Sequence, residues 1–217
     1  MPRYIAILFA LPLLLSCNES AEAKSLAQKK ADEIISAGGK DSNFVELAKS
    51  LEEQFDALYK SLNILPLPIS SSQVKYYDSE LSKLFTRVPK TLIPVFKFID
   101  ENKHGSYDKD FVDAVKIPEY GNVKIIIICV VLQSGQDVLY LSTFLNNAIV
   151  DRLEIYSEDD WEYNGSIGTV KTSFSITNNY ELLIKKTYYN GPLRTEYEIN
   201  TEQRIYTISD GGKFVKK

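Results

Sequence analysis

In the second half of the chain, apolar residues alternate with polar ones at a period of two, which is typical of strands that bury one face. The alternation runs through residues 149–156, 170–176 and 193–199. Residues that favour tight turns lie between the predicted strands of this half, at Ser134-Gly135, Asn146-Asn147 and Asn190-Gly191. Consecutive short strands joined by hairpins predict an antiparallel β-meander of about seven or eight strands, curved or partly closed.

One segment departs from this alternation, because Val123 to Leu132 is apolar almost throughout. A strand of this kind needs cover on both faces. The pattern therefore predicts that this strand is central in the sheet. Cys129 lies inside the run with no basic neighbour in sequence, so it is predicted to be a buried core residue rather than a reactive thiol.

Before the sheet, the spacing of apolar residues changes to three and four, which indicates an amphipathic helix. Asn43 and Glu46 can form a capping box at its start. The apolar stripe comprises Phe44, Leu47, Leu51, Phe55, Leu58 and Leu62. Packing on the sheet explains the stripe better than a coiled coil, since the pattern lasts under three heptads. The predicted class is α+β, with N-terminal helices packed on the sheet.

The N-terminus carries Arg3, an apolar stretch from Tyr4 to Leu15 and then Ser16-Cys17. Twelve apolar residues would form a helix of about 18 Å, too short for a hydrocarbon core of about 30 Å. Leu14-Leu15-Ser16-Cys17 resembles the lipobox of bacterial lipoproteins. The resemblance implies cleavage after Ser16, acylation of Cys17 with fatty acids such as palmitate, and anchoring in the cell envelope, with the outer membrane favoured and the domain facing the periplasm or the exterior.

The chain then divides into four parts. Residues 1–16 form the signal peptide and residues 17–40 a lipidated polar tether. A helical subregion spans 41–110 and the sheet region 111–217, and these two together form one folded domain.

Charge and cysteine content narrow the possible partners. The formal net charge is −4, and loss of Arg3 with the signal would leave about −5. Nucleic-acid binding needs a basic face, so no nucleic-acid partner is predicted. With Cys17 acylated, only Cys129 remains, which excludes a disulfide within the chain.

Catalytic, metal-binding and cofactor-binding motifs are not found. The sequence contains no Gly-x-Ser-x-Gly elbow, no phosphate-binding loop, no Gly-x-Gly-x-x-Gly and no His-Glu-x-x-His. His104 is the one histidine, and its neighbourhood from Asp100 to Asp110 is predicted to be a solvated loop rather than a metal site. The prediction is therefore a protein that is not an enzyme and has no metal or cofactor.

The segment from Ser157 to Gly168 is the sharpest candidate for binding. It is predicted to be an acidic loop. The residues that could bind are Tyr156, Asp159, Asp160, Trp161 and Tyr163. Aromatic faces stack on sugar rings and carboxylates accept hydroxyl hydrogen bonds, so the segment could contact a glycan. A solvated acidic hairpin, with Trp161 covering the open end of the sheet, is the interpretation favoured over binding, and a pair of glycosidase carboxylates comes last.

These observations predict a membrane-anchored accessory or protein-binding lipoprotein with an envelope protein as partner. A glycan-binding or cell-wall-binding lipoprotein that uses the Trp161 loop is the alternative, and a hydrolase comes after both. A group of tyrosines on the strands could serve the protein interface, since tyrosine is favoured there. They are Tyr188, Tyr189, Tyr197 and Tyr206.

Overall fold

The computed structural model describes residues 41–74, 82–96, 107–163, 166–190 and 197–217. The helices are α1 (Asp41–Ser61), α2 (Ser71–Val74) and α3 (Ile93–Phe96), with a 3-10 turn at Ser82–Leu84. The strands are β1 (Ile69–Ser70), β2 (Thr86–Arg87), β3 (Tyr107–Tyr120), β4 (Val123–Leu132), β5 (Asp137–Leu145), β6 (Ala148–Tyr163), β7 (Ser166–Ile176), β8 (Leu182–Asn190), β9 (Tyr197–Ile208) and β10 (Phe214–Lys216). These residues are mostly antiparallel β-sheet with few helices.

The sheet is a meander, as predicted, but it is larger than seven or eight strands. Ten strands are described, and those from β2 to β10 lie side by side in chain order, while β1 pairs with β7 from outside this path. Two of the additional strands, β1 and β2, come from the region predicted to be helical, and they pair with β7 and β3. Short extended segments of this kind carry too few residues to show a period of two.

The strand β6 divides the sheet into two halves. Its start pairs with β5 as far as Tyr156, and its end pairs with β7 from Ser157 to Tyr163. We call β2 to β5 with the start of β6 the first half, and the end of β6 with β1 and β7 to β10 the second half. The second half curls back over the first, since the Thr143 hydroxyl donates to the Gly212 carbonyl at 2.6 Å. The strands at the two ends of this path, β2 and β10, do not pair with each other.

The apolar strand β4 is covered on both faces, as predicted. Ile126 and Ile128 pack towards the helices, in a cluster with Phe55 of α1 and Phe96 of α3. Neighbouring positions such as Ile127 face the second half of the sheet. The predicted central position is wrong, because β6 is the middle strand of the path and β4 lies third from the β2 end. The second half of the sheet curls over one face of β4 and the helices cover the other. A strand can therefore be buried on both faces without lying in the middle of the strand order.

Cys129 is only partly buried, which corrects the prediction of a core residue. It packs at the margin of the cluster between the sheet halves. Its cross-strand neighbours are Asp113 on β3 and Leu139 on β5. Because one of these neighbours is charged, the apolar cover that encloses Ile127 does not extend to Cys129.

The helix α1 packs on the first half of the sheet, as its stripe predicted, and basic residues fix its position. Phe55 lies 4.8 Å from Phe144 between ring centroids. Lys116 donates to the carbonyl of Tyr59 at 2.7 Å, which satisfies an acceptor at the end of the helix. Lys124 donates to Asp56 at 2.9 Å and lies over the Phe55 ring. The side chains of Phe44 and Leu47 lie outside the described residues.

The tight turns that set the strand register are only partly within the described chain. Asn146 and Asn147 have φ angles of 50° and 61°, so both adopt the left-handed conformation that a two-residue hairpin needs. This turn was predicted from the residue types and is confirmed. The Asn190-Gly191 turn and the His104 loop lie partly outside the described residues. The segment from Met1 to Lys40, which contains Cys17, lies wholly outside them.

Candidate functional site

An open cleft of about 200 Å³ lies where the second half of the sheet curls over β6. Its lining comes from three strands, namely Leu153 and Glu154 of β6, Ile184 and Lys186 of β8, and Glu202, Arg204 and Tyr206 of β9. Apolar side chains form part of the wall and charged groups of both signs form the rest. We call this set the cleft.

Strand alternation explains why these residues share one surface. On β8 the apolar Leu182 and Ile184 are followed at the same period by Lys186, so one face changes from core to polar along the strand. On β9 the facing positions are Arg204 opposite Ile184 and Glu202 opposite Lys186. The cleft is therefore the polar continuation of the core between the two sheet halves.

Glu202 is held by two neighbours. The Tyr188 hydroxyl donates to Glu202 Oε1 at 3.3 Å, and an Arg204 nitrogen lies 3.6 Å from Glu202 Oε2. Burial, and then the charge of Glu202, raise the pKa of Tyr188 above its usual value. Tyr188 therefore stays a neutral hydrogen-bond donor at physiological pH.

Ser157 links the cleft to the segment that the sequence singled out. It is fully buried, and its hydroxyl oxygen lies 2.7 Å from Glu154, 3.0 Å from Asp159 and 3.3 Å from the Thr172 hydroxyl. A hydroxyl has one proton to donate, so it can serve only one of the two carboxylates at a time. Ser157 and Thr172 thus form a buried polar pair that contacts the cleft through Glu154.

The segment from Ser157 to Gly168 is not the predicted loop. Its residues belong to β6 and β7, paired in register from Ser157 opposite Thr172 to Tyr163 opposite Ser166. Only residues 164 and 165 fall outside the described backbone. The prediction failed because acidic and polar residues replace the apolar ones on both faces of this hairpin, which hides the period of two.

The predicted binding residues are therefore distributed along a strand. Tyr156 is buried and its hydroxyl donates to Glu158 at 3.3 Å. Asp159 lies beside Ser157, whereas Asp160 is exposed at the next position and so faces the other side of the strand. The backbone of Trp161 pairs with Gly168, and the side chains of Trp161 and Tyr163 lie outside the described residues.

The tyrosines proposed as an interface do not form one patch. Tyr188 pairs with Asn200 on β9, six residues before Tyr206, which is about 20 Å along a strand. Tyr189 follows Tyr188 and lies on the opposite face, where Lys171 sits 5.2 Å from its ring centroid. Tyr206 belongs to the cleft.

A second group of ionisable residues lies around Cys129, on the first half of the sheet. Arg87 Nε contacts Asp113 Oδ1 at 2.9 Å, and Asp113 is the cross-strand neighbour of Cys129. Asp137, at the start of β5, has a buried oxygen without a hydrogen-bond partner. Burial, with a smaller contribution from Asp113, raises the pKa of Asp137 to about 6.

Burial also raises the pKa of the Cys129 thiol, and the carboxylates of Asp137 and Asp113 raise it further. A thiol with a raised pKa is a poor nucleophile. Among the described residues, no group of three or more histidine, cysteine, aspartate or glutamate side chains is placed to hold a metal ion. The arrangement at this group therefore supports neither thiol nor metal chemistry.

Tyr206 was singled out from the sequence as a candidate interface residue, but the other cleft residues of β8 and β9 were not, and neither was Glu154. Each is an ordinary strand residue, and the register that combines them is set by pairing between strands. The one available signal was the change from Ile184 to Lys186 on an otherwise apolar face. Among the described helices, none is long and apolar enough to cross a membrane.

Comparison with family models, with curated proteins and with solved structures finds no match to this chain.

Proposed function

We propose that this chain is a lipid-anchored accessory protein of the bacterial cell envelope, which acts by binding a partner protein. The observation that carries the proposal is the Leu14-Leu15-Ser16-Cys17 site behind a basic and apolar start. Each buried methylene group contributes about 0.8 kcal/mol, so two or three acyl chains on Cys17 would hold the folded domain at a membrane. The domain would then be available to other envelope components.

The cleft favours binding over catalysis. Ser157 is a serine whose hydroxyl contacts the cleft residue Glu154, but it is fully buried and lies between Glu154 and Asp159. A buried hydroxyl that donates to a carboxylate is already committed to the structure of the sheet. The carboxylate of Glu202 likewise interacts with Tyr188 and Arg204. A hydrolase therefore remains the weakest of the three interpretations.

Site-specific photo-crosslinking in intact envelopes tests the proposal. A photoreactive amino acid at Lys186 places the probe in the cleft, and the same amino acid at Lys185 places it on the opposite face of the same strand. We expect one defined crosslinked protein from position 186 and none from position 185. The same products from both positions, or none from either, would contradict a partner-binding cleft.

A glycan-binding lipoprotein is the second candidate, and the position of Asp159 favours it. Asp159 reaches Ser157, which also contacts Glu154 in the cleft, and Trp161 follows two residues later on the same strand. We expect the protein to be retained on cell-wall or polysaccharide material, with retention lost in Trp161→Ala and kept in Asp160→Asn. Equal retention of both variants and the parent protein would count against a glycan site at this hairpin.

A further inference from the structure

We propose that the cleft binds a single carboxylate-bearing sugar unit, with the carboxylate at Lys186 and Arg204 and the ring against Tyr206. The inference rests on the glycan-binding candidate above and names the class of sugar. It follows from three properties of the cleft, which are the free hydrogen-bond donors of Lys186 and Arg204, its apolar wall and its mixture of charges.

The side chains of Lys186 and Arg204 have hydrogen-bond donors that are available to a ligand. Lys186 is half-buried, and among the described residues no hydrogen bond or ion pair of its ammonium group is found. Arg204 contacts Glu202 at 3.6 Å through one of its nitrogens, which leaves the other guanidinium donors for a ligand. An anion placed between the two side chains would supply the partner that a partly desolvated ammonium group needs.

The wall of the cleft suits the apolar face of a sugar ring. Leu153 and Ile184 supply aliphatic surface, and Tyr206 supplies a partly buried aromatic ring. Sugars carry C–H groups on one face that pack against such surfaces. The volume of about 200 Å³ lies below the range of about 300–1,000 Å³ usual for drug-sized ligands, so one sugar unit fits better than a longer chain. The open side lets the remainder of a polysaccharide continue outside.

The acidic residues of the cleft distinguish a sugar acid from a simple anion. Glu154 and Glu202 can accept hydrogen bonds from sugar hydroxyls. The same carboxylates repel the compact, more highly charged hydrogen phosphate ion, which offers them only one hydroxyl donor. A ligand with one carboxylate and several hydroxyls meets both requirements.

The test is an NMR titration of the full chain in detergent micelles with sodium D-glucuronate, D-glucose and inorganic phosphate. We expect glucuronate to shift the amide signals of Lys186 and Arg204, with an affinity at least about ten times that for glucose or phosphate. Lys186→Met and Arg204→Met should each lower the affinity for glucuronate at least about tenfold. The matched control Lys185→Met removes the same charge from the opposite face of β8 and should change the affinity less than about twofold.

Each of the other outcomes overturns the inference. Equal binding of glucose would remove the role of the carboxylate while leaving glycan binding intact. Equal binding of phosphate would reduce the cleft to a general anion site, and equal loss in Lys185→Met would indicate an effect of net charge. No binding of glucuronate would exclude the sugar acid, and retention on polysaccharide through Trp161 would still decide the glycan-binding function separately.

Discussion

Replacing Asp137 by asparagine should stabilise the protein at neutral pH. Asp137 is 7% exposed, and one of its carboxylate oxygens is buried without a hydrogen-bond partner. Burial, followed by the charge of Asp113, raises its pKa from 3.8 to about 6. Asparagine has the same shape without the charge, so it avoids the cost of placing an anion at this position.

The magnitude follows from the pKa. One pKa unit corresponds to about 1.4 kcal/mol, so a change from 3.8 to about 6 corresponds to about 3 kcal/mol. Because the pKa is higher in the folded than in the unfolded protein, this contribution to stability is fully present below about pH 4 and is lost as the pH rises through about 6. The difference in the free energy of unfolding between Asp137→Asn and the parent protein should therefore be up to about 3 kcal/mol more in favour of the variant at pH 7.5 than at pH 4.

Urea unfolding at pH 4, 5, 6 and 7.5, followed by circular dichroism, measures this difference, and thermal unfolding should show a gain of about 6–12 °C at pH 7.5. Asp160→Asn is the control, since it removes an exposed carboxylate and should change the free energy of unfolding by less than about 0.5 kcal/mol. A loss of stability in Asp137→Asn at pH 7.5 would refute the reasoning, because it would show that the ionised carboxylate is stabilised in the fold.

Three further predictions concern the packing of the sheet. Ile126→Ala should lower the free energy of unfolding by about 2–5 kcal/mol in denaturant titrations, whereas Ile167→Ala, at a side chain that is 75% exposed, should change it by less than about 0.5 kcal/mol; similar losses would contradict the described core. Lys124→Met should cost about 1–2 kcal/mol in the same assay, since Asp56 and the rings of α1 lose their cation, and an unchanged stability would show that this contact is incidental. Cys129 in the folded protein should react with a thiol reagent at pH 8 at least about ten times more slowly than in urea, and rapid labelling of the native state would count against its raised pKa.

The sequence predicted those parts of the fold that depend on local chemistry. The turn at Asn146 and Asn147 follows from residues that tolerate positive φ angles, and the structure places it where expected. The apolar run of β4 demanded cover on both faces, and the helix α1 and the second half of the sheet provide it. Hydrophobic patterning therefore identified which surfaces must be buried, although it did not give the position of β4 in the strand order.

The hairpin of β6 and β7 shows where local reasoning fails. Ser157 and Thr172 occupy buried positions that usually hold aliphatic side chains. The Ser157 hydroxyl lies within hydrogen-bond distance of the Thr172 hydroxyl and of the carboxylates of Glu154 and Asp159. Buried polar residues are tolerated when such partners are present. The partners come from a neighbouring strand and from a bend in β6, so the sequence pattern predicted a loop.

The cleft was not predictable for a related reason. Glu154 lies about 30 residues before Lys186 and about 50 before Arg204, and only the curl of the sheet brings these strands together. Each residue by itself is a common solvent-facing strand residue. A site assembled by register and curvature leaves no spacing motif in the chain, in contrast to the lipobox, whose residues are consecutive.

The lipid anchor is tested most directly by labelling growing cells with a radioactive or clickable fatty acid. The parent protein and the variant Cys17→Ala are each isolated from such cells and compared. The parent protein should carry the label, begin at residue 17 and sediment with membranes. Cys17→Ala should carry no label and either become soluble or keep residues 1–16. Incorporation of fatty acid into Cys17→Ala, or an unlabelled parent protein that still sediments with membranes, would contradict the proposed anchor.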